Sequence, residues 1–335
     1  MTLAFSEPDL GYKMLSYSCK TGQGLGLFQI DNPDEPQSNA NGLLPEIEDN
    51  PKEKDRMRMA FWFLLHYDCI FRLRFKRPAL IQQGAWAVKI PSVVDDIVNN
   101  IGFDPLHFIV CTKITLVIMK FFELVEHEIP PDIGPRVCSL VEEINSIAVT
   151  WRLEKNIMTA TDIVGRYLYV DQLFSSYVNI ILICSYRPEL LHIPELNECL
   201  MKAARGSLGL LIQMTKSGFK SSWQTSVRSS WLLVSYLAIY RTILQTPDLA
   251  KSVSDLDSMV WLESTLDTWS EQHEEIVALQ VAIKGLNRIV HLSVEPMKSS
   301  ASLSPPAVSP HQRGSLTPSQ SLPPIHYLEQ LGFRF

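Results

Sequence analysis

Three stretches of this chain hold residue types at spacings that chemistry uses. In TGQGLGL (21–27), Gly22, Gly24 and Gly26 alternate, as in loops whose backbone amides cradle phosphate. A dinucleotide fingerprint would also need glycine at position 27, a hydrophobic strand before it and a helix after it. Residue 27 is Leu, and the lysine of a nucleotide-triphosphate loop is absent, so these glycines read as the turn ending a helix. Asp95 and Asp96, in DDIVN (95–99), set two carboxylates side by side, an arrangement that can hold magnesium against a diphosphate. No second metal motif follows, and carboxylates at a helix start are equally at home near free amides and the positive dipole end. His127 lies between Glu126 and Glu128, and His273 precedes Glu274 and Glu275. Neither belongs to HExxH, and no GxSxG elbow occurs, so no catalytic residue is assigned and an enzyme is not expected.

The six cysteines, at 19, 69, 111, 138, 184 and 199, match the number that holds two zinc ions in a zinc binuclear cluster. That chemistry needs short gaps so that thiolates share metals. Here the closest pair in sequence, Cys184 and Cys199, is fifteen residues apart. We read all six as isolated, reduced core thiols and expect no metal or other cofactor in this chain.

The stretch FRLRFKRP (71–78) alternates Arg72, Arg74, Lys76 and Arg77 with Phe71, Leu73 and Phe75. It could form a basic-aromatic surface for nucleic acid or the polar edge of a packed element. The net charge of −6 sets the whole molecule against phosphate backbones, so any such contact needs a local basic face. The stretch ends a helix expected over 54–76 and stopped by Pro78. In that helix Met59 to Leu65 is apolar all round, so its waist must be buried, whereas a groove-reading helix needs an open polar face. Asp68, one turn before Arg72, is expected to pair with it.

The elements that must position these residues are helical throughout. Residues 9–29 read as one helix ending in a glycine turn, and 31–53 as a polar, acidic loop rich in Pro and Asn. Further helices are expected at 104–128, 134–156, 161–186, 194–216, 221–245, 255–270 and 272–293. In 134–156, Val137, Leu140, Val141, Ile144, Ile147 and Ala148 form one apolar stripe. The most apolar runs, 108–125 and 229–240, are interrupted by lysine or too short for a bilayer, which needs about 20 apolar residues. No membrane association is expected, and MTLAFSEPDL has none of the marks of a secretory signal. Residues 1–296 are thus expected to form one helical domain. The Ser/Pro-rich stretch within 297–324 is expected to be disordered, since it cannot bury enough apolar surface to offset its ordering entropy. It carries Ser304–Pro305, Ser309–Pro310 and Thr317–Pro318, candidates for proline-directed phosphorylation. A short apolar segment, IHYLEQLGFRF (325–335), follows and is expected to dock on the domain or engage a partner.

Residues 55–96 resemble the signature of the regulatory, or middle-homology, domain of fungal zinc-cluster transcription factors. Arg56 and Arg58 match its basic start and Phe61–Trp62 its aromatic pair; Asp68 stands six residues after Trp62. Arg77–Pro78 follow at the signature's distance, and KIPSVVDD (89–96), with Pro91, Asp95 and Asp96, matches its closing loop. Upstream, YKMLSYSCKTGQGLGLFQ (12–29) is similar to the helix and Leu-Gly-Leu turn that precede the signature. The departure is Lys76, where the family has glycine, which implies an altered turn or a helix one residue longer.

The resemblance implies a nuclear transcription regulator of the all-α class whose helical domain tunes activation of a metabolic or biosynthetic gene set. It implies co-regulators or other regulators as partners, with a small-molecule effector possible. It also implies that Asp68, Arg72 and Arg77 belong to a structural polar network. Family members carry a six-cysteine zinc cluster ahead of this domain, and none is present here, so DNA contact is expected only if such a cluster lies upstream. Two other readings stay open. One is a helical interaction module that modulates a full-length regulator without touching DNA. The other is a helical enzyme of the prenyl-diphosphate type using Asp95 and Asp96.

Overall fold

The computed structural model describes residues 8–32, 50–91, 105–126, 129–160, 163–217, 229–245, 249–271 and 274–301. Among these there are helices and turns and no strand, so the chain is all-α as expected. Its contacts divide it into two compact units, residues 1–220 and 221–335, with the division falling inside the 1–296 span expected as one helical domain.

The first unit contains α1 (Pro8–Gly24), α2 (Pro51–Phe75), α3 (Pro105–Val125), α4 (Ile133–Thr150), α5 (Leu153–Thr159), α6 (Ile163–Cys184) and α7 (Pro194–Lys216). A 3-10 turn at Pro188–His192 links the last two. The start of α2 lies three residues earlier than the apolar pattern indicates. Asn50 caps it, its side chain accepting from the Lys52 and Glu53 amides at 3.1 and 3.4 Å, and Pro51 follows in the first turn. Its end comes at Phe75, because Lys76 turns left-handed (φ 54, ψ 33). Arg77 then precedes a proline, which disfavours helical backbone.

One expected helix, 134–156, is two. The chain breaks at Trp151–Arg152, where Arg152 has φ 50 and ψ 38. The buried stripe of α4 ends at Ile147, and the next buried residues are Leu153 and Ile157. A continued helix would turn Leu153 about 120° away from that stripe. The break returns both side chains to the core.

In the centre of this unit α3 packs against α2, α4 and α6, while α6 also packs against α4, α5 and α7. Val117, Ile118, Phe121, Ile180 and Ile181 are buried there. The Gly165–Cys184 stretch of α6, not counted among the most apolar runs, is long and apolar enough to cross a membrane. It is 61% buried among its neighbours, as a core helix is.

The second unit is built on α8 (Ser229–Gln245), α9 (Leu249–Ser270) and α10 (Val277–Ala301), with a 3-10 turn at Glu274–Ile276. Tyr236, Ile239, Met259, Leu262, Leu266 and Ile283 form its core. Helix α10 reaches Ala301, beyond Lys298 where the Ser/Pro-rich stretch expected to be disordered begins. Once a helix exists each further residue adds a backbone bond, so its end need not fall at a change in composition. Residues beyond 301, with the phosphorylation candidates and the 325–335 segment, lie outside the described residues, as do Asp95, Asp96, His127 and His273.

Candidate functional site

Of the residues that match the resembled signature, Arg58, Phe61, Trp62, Asp68, Arg77, Pro78 and Pro91 lie where α1, the turn after it, α2 and the return loop 76–91 meet. Gly22 and Gly26 place that turn. A Cβ on Gly22 would stand 3.1 Å from Leu64 Cδ1, so glycine lets α1 approach α2, and Gly26 is left-handed at φ 75. The glycines thus close a helix, as their spacing indicates. The turn pairs with the return loop through Ala87 N–H to Phe28 O (2.8 Å) and Asp31 N–H to Ala87 O (2.9 Å).

Asp31 is the hub of this junction. Arg58 Nε donates to Asp31 Oδ2 at 2.9 Å, and Arg58 Nη2 donates to Asp31 Oδ1, a two-point clamp. Arg58 Nη1 donates to Asp55 Oδ1 at 2.6 Å, and the Lys89 amide to Asp31 Oδ2 at 2.7 Å. Burial works against the Asp31 carboxylate, but Arg58, the Lys89 amide and Lys54 outweigh it and hold its pKa below the usual value. Trp62 Nε1 donates to the Lys89 carbonyl at 3.1 Å, so Lys89 is gripped at both its backbone groups. Around it, Phe28, Phe61, Trp62 and Trp86 form an aromatic cluster with ring centroids 5.2–5.8 Å apart. Pro91 is buried at the end of the loop, whereas Arg56, among the described residues, pairs with Glu53 and stands outside the junction.

Asp68 does not form the expected ion pair with Arg72. It is wholly buried and accepts the Leu80 and Ile81 amides at 3.0 and 3.1 Å, one on each oxygen. Burial pushes its carboxyl upward, while the two amides and the nearby Arg72 charge oppose the shift. Arg72 itself bonds to Glu126, just past α3, and lies 3.9 Å over the Phe122 ring. Two amides left without partners by the return loop claim the carboxylate more closely than a side chain one turn away.

The other cations of FRLRFKRP are also engaged within the protein. Arg74 lies over Phe75, and burial brings its pKa down to about 9, which leaves it charged at neutral pH. Lys76 Nζ donates to the Tyr186 carbonyl at 2.8 Å and sits 3.3 Å over the Tyr186 ring. Arg77 pairs with Asp9 of α1 and lies over Tyr12, whose hydroxyl donates to the Pro78 carbonyl at 2.9 Å. Lys76 adopts a conformation natural to glycine, the residue that the resembled signature has there. The expected network of Asp68, Arg72 and Arg77 is therefore three separate sets of contacts, to the Leu80 and Ile81 amides, to Glu126 and to Asp9, beside the Arg58 clamp on Asp31. Sequence reasoning missed Asp9, Asp31, Asp55, Trp86, Glu126 and Tyr186 as their partners. Only Asp31 had a hint, standing at the head of the acidic loop.

A second polar cluster lies between α2, α3 and α6. Thr115 gives its hydroxyl proton to the Cys111 carbonyl (2.8 Å) and accepts from His66 Nδ1 (2.8 Å). The Gln172 amide meets His107 and the Cys111 thiol. Burial, with the nearby His107, lowers the His66 pKa to about 4 and keeps it neutral. On the outer side of α3 and α4 a groove of about 270 Å³ is floored by Leu116, Met119 and Ile147 and spanned by the Lys120–Glu143 ion pair (2.8 Å). Among the described residues no three His, Cys, Asp or Glu side chains converge as a metal ion would require.

All six cysteines are free thiols. Cys138 and Cys199, 61 residues apart in sequence, lie on packed helices, and burial with the neighbouring Cys199 pushes the Cys138 thiol up to about 11.

No protein family, curated protein or solved structure matches this chain.

Proposed function

We propose that this chain is the helical regulatory part of a transcription regulator of the fungal zinc-cluster type, acting in the nucleus on a metabolic or biosynthetic gene set. The observation that carries the reading is the convergence of Arg58, Trp62, Asp68, Arg77 and Pro78, with the Leu25–Gly26–Leu27 turn, on one junction. These residues are dispersed over more than fifty positions, yet each fixes part of the same loop. Their task is to hold the domain's shape; partners and any small-molecule effector are met elsewhere, and DNA only if a zinc cluster lies upstream.

The test joins the full chain to an unrelated DNA-binding domain in a fungal reporter strain. The expected result is reporter output changed at least several-fold, up or down, relative to that domain alone, with the fusion in the nucleus. The isolated chain should not shift a labelled duplex at physiological salt. Unchanged output from a folded, nuclear fusion would overturn the reading.

A second reading has its own support. Every cation of FRLRFKRP is engaged within the protein, and the net charge is −6. The chain would then be an interaction module that alters a full-length regulator without touching DNA. Capture of such a regulator, together with a silent fusion, separates this reading from the first.

A further inference from the structure

Polar contacts fix how α9 and α10 stand against each other. Asp267 of α9 accepts from Lys284 Nζ at 2.8 Å and from Gln280 Nε2 at 2.6 Å, while Asn287 Nδ2 reaches the Met259 carbonyl and Glu263. The two helices therefore run antiparallel, with Asn287 level with Met259–Glu263. On each helix these seam residues lie between a buried stripe, including Met259, Leu262 and Ile283, and an exposed one. The two exposed stripes thus turn away from the core on the same side and lie next to each other.

The exposed stripe of α9 holds Val253, Asp257 and Val260, and that of α10 holds Val281, Arg288 and Leu292. The four apolar side chains are between 48% and 62% exposed. Asp257 and Arg288 are also exposed, and neither has an ion-pair partner among the described residues. By the helical rise, Arg288 stands within about 5 Å of the level of Asp257 along the axes, and Leu292 falls level with the gap between Val253 and Val260.

Such a face is complementary to itself. A two-fold axis parallel to the helices sets α9 of one copy against α10 of the other, antiparallel and at the same level. Asp257 then meets the second copy's Arg288, and Leu292 enters the second copy's Val253–Val260 gap, each contact occurring twice. The face measures about 30 by 20 Å, roughly 600 Å² on each copy, against about 800 Å² per partner in a stable interface. We propose that this α9–α10 face is an interaction surface for a second copy of the chain, closing a reversible two-fold dimer.

The test is sedimentation velocity on the full chain over about 1–100 µM, the range that suits an interface of this size. A concentration-dependent monomer–dimer equilibrium is expected. Val260→Glu should leave the chain monomeric with its urea unfolding midpoint unchanged. Asp257→Arg and Arg288→Asp each set like charges opposite one another and should weaken association about tenfold. An equimolar mixture of those two variants should recover it, because a mixed dimer restores both ion pairs, and recovery also shows that both variants fold. A full chain monomeric throughout, a dimer indifferent to the charge variants, or a mixture no tighter than either variant alone would overturn the proposal.

Discussion

In the first unit, Asp31 and Asp68 lie where irregular backbone offers amides with no partner of their own: Lys89, Leu80 and Ile81. In the second unit, the buried polar hub is Asn287, set among helices whose backbone is largely paired already. Tyr236 of α8 donates to Asn287 Oδ1, and Asn287 Nδ2 donates to the Met259 carbonyl (3.2 Å) and Glu263 Oε2 (2.6 Å) of α9. A carboxylate suits the first setting because it only accepts, and a loop supplies donors. An amide suits the second because it both donates and accepts, as the mixed groups around it require. The choice of buried polar residue thus follows what the neighbouring backbone leaves unpaired.

The sharpest way to break the first half of that comparison is Arg58→Ala. Removing one partner of a mostly buried, hydrogen-bonded ion pair strands the Asp31 charge, and a loss of about 3–5 kcal/mol in urea unfolding is expected. A loss below about 1 kcal/mol would show that solvent reaches Asp31 and that it is not a hub. Next in size is Asp68→Ala, which leaves two amides without acceptors. It should cost about 2–3 kcal/mol and speed hydrogen exchange at Leu80 and Ile81, while α4 to α7 keep their protection. For the second unit, Asn287→Ala should cost about 2 kcal/mol, with exchange rising in α8–α10. If Asn287→Leu restores the loss, shape rather than hydrogen bonding governs that hub.

A pH measurement separates the charged region from the histidine cluster beside it. The folded-state pKa of His66, about 4, lies below its ordinary value near 6.5, so the unfolded chain binds more protons in between. Stability should therefore fall as pH drops from about 6.5 to 4, and His66→Gln should flatten that slope. Asp31, whose pKa is lowered, adds loss only below about pH 4; Asp68, whose pKa is raised, acts with the opposite sign above it. The smallest expected effect is that of Lys76→Gly. Relief of a left-handed side chain offsets loss of the Tyr186 contact, and the net change should stay within about 1 kcal/mol.

Much of the local structure was legible because local chemistry writes it. Proline and apolar periodicity placed the ends of α7 at their observed residues and those of α6 within two. The break at Arg152 was not legible, since Leu153 and Ile157 depart from the stripe only once the core they fill is known. The Asp68–Arg72 pairing failed for a related reason. Helical spacing names the nearest side chain, but a folded loop brought amides nearer.

The thiols show the same division. Gaps of fifteen residues or more correctly excluded the close spacing of a zinc cluster but could not foresee two helix starts meeting at Gly134 and Ile193. What the sequence alone determined is the helical class, the burial of α2 and the turn chemistry around it, because these depend on residues within a few turns of one another. The partners of Arg58, Asp68, Arg72 and Arg77 were decided only by tertiary structure. A contact across tens of residues depends on how whole helices pack, and no local pattern of residues carries that information.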